Sequence, residues 1–321
     1  MRLDLIKSFD RAAALPLALS HWDFAENSIE HVRDGENFVY RFRVPGAGNV
    51  RYLRITHESR RNIEQLLGEI EFVNYLKDHE IKLAAPVQSR AGNWVETIDL
   101  PPQKYFATVF EAVPGEPVQW GKDQENRAFL FQRGKALGRL HKVSCTWRAR
   151  LPNRRHHWYE DDLFTDPSKL LHVEDVIPRR EYEEVLKWML ARKRSTENYG
   201  LVHGDFGTGN VRHVNGEVVC FDFDDCSYHW FTYDLGVAMR AARRLPFKYR
   251  KAYLRVLMDG YETEKSLCGD TEREVAQFCR VAALYRFVTV LRQCDREQFT
   301  PELKSLFESR LKVLADPPAW Y

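Results

Sequence analysis

Residues 201–210 read LVHGDFGTGN, and residues 220–225 read CFDFDD. Between the two stretches, apolar-rich runs flank the dipeptide Asn215-Gly216. An Asn-Gly pair in this setting is the strongest short signal for a β-hairpin, because both turn positions need a positive φ. We therefore predict a tight hairpin that joins the two stretches.

The open end of this hairpin collects oxygen-bearing side chains. Counting back from the turn places Asn210 opposite Phe221 and beside Asp222, while Asp205 lies on the loop that leads in. An amide oxygen and carboxylates suit Mg²⁺, which usually takes one or two protein groups and completes its shell with water and phosphate. A polar turn with a capping Asp is the alternative, but these groups at this spacing favour a magnesium site.

The same residues resemble the catalytic loop and metal-binding segment of the protein-kinase-like phosphotransferases. The resemblance is strongest to the group of aminoglycoside phosphotransferases, choline kinases and type II homoserine kinases. His203-Gly204-Asp205 and Asn210 stand where protein kinases carry His-Arg-Asp and a downstream Asn, and Asp222 stands at the Asp of their Asp-Phe-Gly. The glycine at 204 and the sequence Asp-Phe-Asp-Asp favour the small-molecule branch.

This resemblance implies roles for four residues. Asp205 would accept or orient the proton of the substrate hydroxyl, and Asn210 and Asp222 would bind Mg²⁺. Asp224 would be an additional metal ligand, or a carboxylate that contacts the ligands without contacting the metal. Because phosphoryl transfer depends mostly on positioning and charge neutralisation, these few groups can carry much of the chemistry.

The length of the chain fits two lobes, since 321 residues are too many for one typical core. Together with the resemblance, this predicts an α+β, bilobal protein-kinase-like fold. The N-terminal lobe, residues 1–112, would hold a small antiparallel sheet with one main helix and cover the nucleotide. The larger, mostly helical C-terminal lobe, residues 113–321, would hold the catalytic loop, the metal site and the substrate pocket.

Charge and hydropathy argue against several classes of function. The net charge is +2, from 48 basic and 46 acidic residues, so no global field favours nucleic acid or membranes. The local basic clusters at residues 148–155 and 240–244 are interpreted as solvated surfaces. No apolar run is long enough for a membrane-spanning helix, and the start lacks the apolar core of a signal peptide. The six cysteines show no Cys-x-x-Cys spacing, which favours reduced thiols in a cytoplasmic enzyme.

Strands and tight turns alternate from about residue 27 to residue 55. The turn Asp34-Gly35-Glu36-Asn37 resembles a reduced form of the nucleotide-covering loop, in which glycine lets backbone amides approach a phosphate. Gly35 and Asn37 are therefore candidate nucleotide-binding residues. Asp-Gly turns are common, so the family context supports this assignment more than the turn does.

The third strand departs from the family, because it has Arg54 where protein kinases place a phosphate-binding lysine. Arginine keeps the charge and adds a bidentate fork, although its reach differs from that of lysine. Residues 62–77 read as a helix in which Glu69 shares an apolar stripe with Leu66 and Val73. A carboxylate in such a stripe needs a partner, and the resemblance pairs it with Arg54. An exposed strand arginine and a surface glutamate are the alternatives.

A strand-like run at residues 106–113 stops at Pro114-Gly115-Glu116-Pro117. Two prolines around a glycine cannot continue a central strand, so we predict the hinge between the lobes here. The resemblance implies that the backbone around Phe110 and Ala112 meets the adenine edge of the nucleotide.

Three polar residues of the larger lobe are interpreted as structural. His203 would brace the catalytic loop, Asp234 would anchor it, and His141 would pack at the end of an amphipathic helix. The unusual segment 148–166 is expected to be an insert that shapes a substrate pocket, with Trp158, Asp161 and Asp162 holding a cationic amine. A metal cluster of its histidines and aspartates is the less favoured alternative.

Taken together, the sequence predicts a cytoplasmic kinase that uses ATP, or another nucleoside triphosphate, with Mg²⁺. Its acceptor would be a hydroxyl of a small metabolite, such as an amino alcohol, a homoserine-like or an aminoglycoside-like molecule, with no nucleic acid or membrane partner. A protein serine/threonine kinase of the same fold and a non-catalytic nucleotide-binding scaffold remain alternatives. The sequence does not predict the oligomeric state.

Overall fold

The computed structural model describes residues 1–46, 48–115, 117–118, 126–150, 155–267 and 269–315, without the side chain of Arg244. The chain divides into two compact units. The first comprises Met1–Asp78 and Leu83–Val113, with residues 149–150. The second comprises His79–Lys82, Pro114–Arg148 and the chain from Arg155 onward.

An antiparallel sheet of six strands forms the centre of the first unit. The strands are β1 (Glu30–Arg33), β2 (Phe38–Arg43), β3 (Val50–His57), β4 (Pro86–Val87), β5 (Glu96–Leu100) and β6 (Gln103–Glu111). Their order is β1-β2-β3-β6-β4, and β5 also pairs with β6. Along β2, Phe38, Tyr40 and Phe42 are buried while Arg41 and Arg43 are exposed. The period of two thus directs one face of the strand into the core.

Helices cover this sheet. They are α1 (Leu3–Lys7), α2 (Arg11–Leu19) and α3 (Ile63–Asp78). Asp10 caps α2, because its Oδ1 accepts the amide of Ala13 at 3.0 Å. Ala18 and Leu19 of α2 join Phe38 and Tyr40 in one apolar cluster. The two N-terminal helices add to the single helix, α3, that the sequence predicts for this lobe.

The second unit is mainly helical. Its α-helices are α4 (Arg127–Ser144), α5 (Asp162–Thr165), α6 (Val176–Leu190), α7 (Phe231–Ala238), α8 (Phe247–Glu262), α9 (Thr271–Leu291) and α10 (Pro301–Ala315). An apolar cluster from α6, α7, α9 and α10 includes Val185, Val237, Phe278 and Leu314. The predicted fold class, an antiparallel sheet in one part and a mostly helical second part, is confirmed.

Helices α4 and α8 approach each other closely at glycines. A Cβ at Gly134 would lie 1.9 Å from the carbonyl oxygen of Leu257, and one at Gly260 would lie 2.0 Å from that of Phe131. Real Cβ atoms do not come this close to a backbone oxygen, so the helix crossing requires glycine at both positions.

Two short strand pairs frame the loops of the second unit. β7 (Tyr199–Val202) pairs with β10 (Ser227–Trp230), and β8 (Val211–Val214) pairs with β9 (Glu217–Cys220). The β8–β9 turn has φ of 51° at Asn215 and 84° at Gly216, and Val214 pairs with Glu217. The predicted hairpin and its register are therefore confirmed.

The described part of the chain contains no helix that is both long and apolar enough to span a bilayer. The five described cysteines are free thiols, of which only Cys145 is not buried. Cys268 lies outside the described residues.

Candidate active site

The loop between β7 and β8 carries Asp205 and Asn210, and its backbone path depends on Gly204. Gly204 has φ +82°, and a Cβ there would lie 2.1 Å from the carbonyl oxygen of Asp225. An L-residue would clash with that oxygen and be strained in the left-handed region. Glycine therefore lets the loop pass directly against the segment that carries Asp222 and Asp224.

Asp234 on α7 anchors this loop. Its carboxylate accepts the amide of His203 at 2.8 Å and the amide of Gly204 at 2.9 Å. His141 at the end of α4 adds a bond from Nε2 at 3.1 Å. Asp234 is fully buried, and although burial alone would raise its pKa, these donors hold the pKa below the ordinary value. The structural role predicted for Asp234 is confirmed.

His203 ties the loop to the segment that carries Asp222 and Asp224. Its Nε2 donates to the carbonyl oxygen of Phe221 at 3.1 Å, and its Nδ1 accepts the amide of Asp205 at 3.3 Å. The ring is fully buried, and its centroid lies 4.3 Å from that of Phe223. His203 thus braces both halves of the site, as predicted.

The carboxylate of Asp205 is held at both oxygens. Nδ2 of Asn210 donates to Oδ2 at 2.8 Å and to the backbone oxygen of Asp205 at 3.0 Å. Oδ1 accepts Nη2 of Arg240, which lies on the 3₁₀ turn Met239–Arg244 after α7. Arg240 is therefore not part of a solvated basic surface, and that interpretation of residues 240–244 is wrong for this residue. Arg240 and Asp205 are 35 positions apart, and no local sequence pattern connects them, so this contact was not predicted.

Two further arginines hold the surrounding backbone from inside the unit. Arg133 on α4 is fully buried and donates to the carbonyl oxygen of Phe206 at 2.7 Å. Arg155 is also buried, and it donates to the carbonyl oxygens of Cys226 and Asp224, each at 2.7 Å. The interpretation of residues 148–155 as a solvated surface is therefore wrong for Arg155, because buried carbonyls need donors and a guanidinium supplies several.

The donor set near the hairpin suits a hard divalent cation. Because Asn210 uses its Nδ2 on Asp205, its Oδ1 is the atom left to act as a ligand. Asp222 follows β9 with φ +66°, an uncommon conformation for a residue other than glycine, and such backbone strain concentrates at functional sites. Asp224 is buried, and its backbone is held by Arg155. An amide oxygen and two carboxylates match the ligands that Mg²⁺ prefers.

In the first unit, Arg54 and Glu69 form a bidentate ion pair. Nη1 and Nη2 of Arg54 donate to the two carboxylate oxygens of Glu69 at 2.9 and 2.7 Å, and Nε donates to Thr108 at 3.3 Å. The exposed fraction is 5% for Arg54 and 0% for Glu69. The ring of Phe110 lies 5.0 Å from the guanidinium carbon. The contact that the resemblance implies is present, and neither residue is the surface side chain of the alternative interpretation.

The turn at residues 34–37 is tied down on both sides. Asn37 is buried, and its Oδ1 accepts the hydroxyl of Thr56 at 2.8 Å. Asp34 accepts Nη2 of Arg11 at 2.7 Å. Gly35 lies outside the left-handed region, and a Cβ there would meet no atom within 4 Å. Among the residues that the structure describes, then, nothing requires glycine at 35.

The predicted hinge strand ends in the sheet. The amide of Glu111 donates to the oxygen of Ala85 at 2.8 Å, and the amide of Ala112 donates to that of Val50 at 3.1 Å. An adenine contact at Ala112 would therefore use its carbonyl oxygen. Glu116, within the predicted hinge, lies outside the described residues.

The segment predicted to hold a cationic amine is packed and paired within the second unit. Trp158 is buried, and its ring centroid lies 5.7 Å from that of Trp230. Nη2 of Arg292 donates to Asp161 at 2.6 Å and also to Asp162. This pairing argues against the predicted amine-binding role, since an incoming amine would have to displace the guanidinium. Residues 151–154 of the segment lie outside the described residues.

Comparisons with known proteins show the family and the fold of the chain. The sequence profile of the "Phosphotransferase enzyme family" matches residues 28–278. The amicoumacin kinase of Bacillus subtilis (strain 168) is 25% identical over 273 residues, which cover 82% of this chain and 80% of that protein.

Solved structures share the fold. An amicoumacin kinase in complex with AMP-PNP, Ca²⁺ and Ami superposes with a TM-score of 0.87 at 24% identity, covering 98% of this chain and 96% of that one. A microcompartment-associated aminopropanol kinase gives 0.76 at 20% identity, covering 94% of each chain. A choline/ethanolamine kinase family protein from Mesorhizobium loti gives 0.61 at 14% identity, covering 97% and 94%.

Proposed function

The chain belongs to the phosphotransferase enzyme family, and we propose that it transfers the terminal phosphoryl group of ATP to a hydroxyl of a small amine-bearing molecule. The nucleotide and a divalent metal are suggested by the AMP-PNP and Ca²⁺ of a structure with the same fold. The class of acceptor is suggested by the names of the relatives, an amicoumacin kinase and an aminopropanol kinase.

One observation carries this proposal: the carboxylate of Asp205 is oriented by Asn210 on a loop that Asp234 anchors. A loop held at its amides and at its acidic side chain is preorganised, which is what phosphoryl transfer demands from a protein. A decayed, non-catalytic scaffold has no reason to keep a buried carboxylate on two loop amides, because that burial costs free energy.

In the proposed mechanism, Asp205 accepts or orients the proton of the acceptor hydroxyl while that oxygen attacks the terminal phosphorus. The bond between this phosphorus and the bridging oxygen breaks, and ADP leaves. Asn210 and Asp222, with Asp224 as a further carboxylate, would hold Mg²⁺, which supplies positive charge to the phosphates when bound. His203 and Asp234 keep the loop from shifting as charge moves.

Arg54 is proposed to bind nucleotide phosphate. A guanidinium keeps its positive charge and presents a fork that suits phosphate oxygens, and Nη1 and Nη2 of Arg54 bond to Glu69. Glu69 fixes the direction of the fork. Gly35 and Asn37 would present their turn to the phosphates, and Phe110 and the carbonyl of Ala112 would contact the base.

A panel assay tests the function. The protein is incubated with Mg²⁺, ATP and one of five acceptors (aminopropanol, ethanolamine, choline, an aminoglycoside or amicoumacin), and ADP and phosphorylated product are measured together. We expect at least one amino alcohol of the panel to be phosphorylated. Phosphate transferred to protein, and to none of the five acceptors, would contradict the proposal.

The matched variant is Asp205→Asn, which keeps the volume but removes the proton acceptor; its single amide oxygen can accept from Asn210 or from Arg240, but not from both. Losing a general base typically costs about 10²–10⁴-fold in rate. We expect turnover to fall in that range while AMP-PNP still binds. A variant as active as the wild type would remove Asp205 from the mechanism.

A further inference from the structure

The proposed function assigns no role to the ion pair between Arg240 and Asp205. Arg240 is contributed by the turn after α7, whereas Asn210 belongs to the loop of Asp205 itself. The two oxygens of the carboxylate are thus held by two different elements. A side chain fixed at both oxygens cannot rotate without breaking a charge-assisted bond.

Gly207 makes room for the guanidinium. A Cβ at Gly207 would lie 2.7 Å from Nη2 of Arg240. The backbone of Gly207 has φ −81° and ψ 169°, which any residue adopts. The conformation of the loop therefore does not require glycine here; the space taken by Arg240 does.

The positive charge of Arg240 also affects how the carboxylate of Asp205 interacts with an incoming phosphoryl group. The side chains of Arg240 and Asp205 are 24% and 32% exposed, so solvent screens the pair only in part. A carboxylate beside an arriving phosphoryl group would repel its negative oxygens. A guanidinium held on that carboxylate offsets the repulsion.

We propose that Arg240 is a positioning residue for phosphoryl transfer, which aims Asp205 at the acceptor hydroxyl and compensates its charge. This rests on the proposed role of Asp205. The residue acts through Asp205, so its loss should lower turnover while leaving nucleotide binding unchanged.

The first test replaces Arg240 with Met, which keeps much of the stem and removes the charge. Turnover is measured with MgATP and either aminopropanol or water as acceptor. We expect kcat to fall about 10- to 100-fold, with the KM for MgATP and the unfolding midpoint nearly unchanged. Arg240→Lys should recover part of the loss. The matched control is Arg243→Met on the same turn, because Arg243 donates to the carbonyl of Val313 instead.

The second test displaces the arginine without removing it. Gly207→Ala places a methyl group against Nη2 of Arg240, whereas a Cβ at Gly209 meets no atom within 4 Å. We expect Gly207→Ala to lower kcat about 10-fold and Gly209→Ala to have at most a small effect. In the Asp205→Asn background, Arg240→Met should cause no further loss, since the two residues act together.

These outcomes separate the two proposals. A wild type that phosphorylates none of the five acceptors overturns the proposed function, and this inference with it. An active wild type whose Arg240→Met variant keeps its kcat overturns the inference alone. If Arg240→Met lowers nucleotide affinity and the unfolding midpoint together with kcat, the inference is also overturned, because Arg240 then has a structural role only.

Discussion

Arg54 and Glu69 form a buried ion pair that the proposed function connects with nucleotide binding. Both side chains are almost inaccessible to solvent, and both carboxylate oxygens are bonded. Desolvating two charges costs free energy that the bonds between them offset. Apolar residues of similar volume can often replace such a pair without loss of stability, so a contribution to stability alone does not explain the charged pair, which fits the proposed role of Arg54.

The variant Glu69→Gln should therefore be severely destabilised, because it leaves the guanidinium buried without its counter-charge. Breaking a buried pair from one side costs about 3–5 kcal/mol, which urea denaturation measures. The double variant Arg54→Met, Glu69→Leu should regain most of that free energy of unfolding. It should nevertheless bind MgATP poorly in calorimetry. Wild-type affinity in the double variant would show that Arg54 is not a phosphate ligand.

The proposed role of Asp222 as a metal ligand can be tested by replacing one carboxylate oxygen with an amide nitrogen. Asn tolerates the same left-handed backbone, so Asp222→Asn keeps the conformation at φ +66° and removes one negative charge. We expect the affinity for Mg-nucleotide to fall at least about tenfold and the affinity for nucleotide without Mg²⁺ to stay the same. Equal losses with and without the metal would speak against Asp222 as a ligand.

At the scale of elements, the β8–β9 hairpin was predictable because its information is local. Asn215 and Gly216 both adopt positive φ, and once the turn is known the register follows by counting. The pairing of Arg54 with Glu69 was nearly as accessible, because the periods of a strand and a helix indicate which face each side chain takes and the resemblance to kinases implies that the two side chains meet. Both inferences use residues that are close in sequence.

Other parts of the site could not be predicted in this way. Arg240 reaches Asp205, and Arg292 reaches Asp161 and Asp162, across elements that are far apart in sequence. A sequence pattern reports which residues are charged, but not which distant charge neutralises them. The acidic segment at 161–162 therefore looked like a cation site, whereas its cation is supplied by the protein.

The crossing of α4 and α8 leads to a prediction about packing. Ala is intrinsically better than Gly in a helix by about 1 kcal/mol, so a glycine kept at 134 or 260 needs a reason. Each Cβ would fall within 2.0 Å of a backbone oxygen, which cannot move cheaply. Overpacking of this kind typically costs about 1–3 kcal/mol or more, so it outweighs the gain in propensity.

We therefore expect Gly134→Ala and Gly260→Ala to lower the free energy of unfolding measured in urea. Gly35→Ala is the control, since a Cβ there meets no atom and its φ is not positive. Its free energy of unfolding should be nearly unchanged. If Gly134→Ala were as stable as the wild type, the two helices would have to lie farther apart than described.

Across the whole molecule, buried histidines make stability depend on pH. His229 is almost fully buried, and its ring stacks on Tyr233 with centroids 4.1 Å apart. Burial lowers its pKa to about 3, although the charge of Asp234 opposes the shift. His141 and His157 also have pKa values lowered mainly by burial. The unfolded chain, in which a histidine has a pKa of about 6.5, therefore binds protons more readily than the native protein.

The direction of the effect follows from this difference. Between about pH 6.5 and pH 3, the unfolded state binds more protons at position 229, so stability rises with pH and is lost as pH falls through this window. For a pKa of about 3, lowering the pH from 7 to 5 should cost about 2 kcal/mol through His229 alone. His229→Phe keeps an aromatic ring beside Tyr233 and cannot be protonated, so its loss over that range should be smaller by this amount. Urea titrations at both pH values measure the difference, with the exposed His172→Gln as control. If His229→Phe and His172→Gln lose the same free energy of unfolding between pH 7 and 5, the burial of His229 is not a source of acid sensitivity.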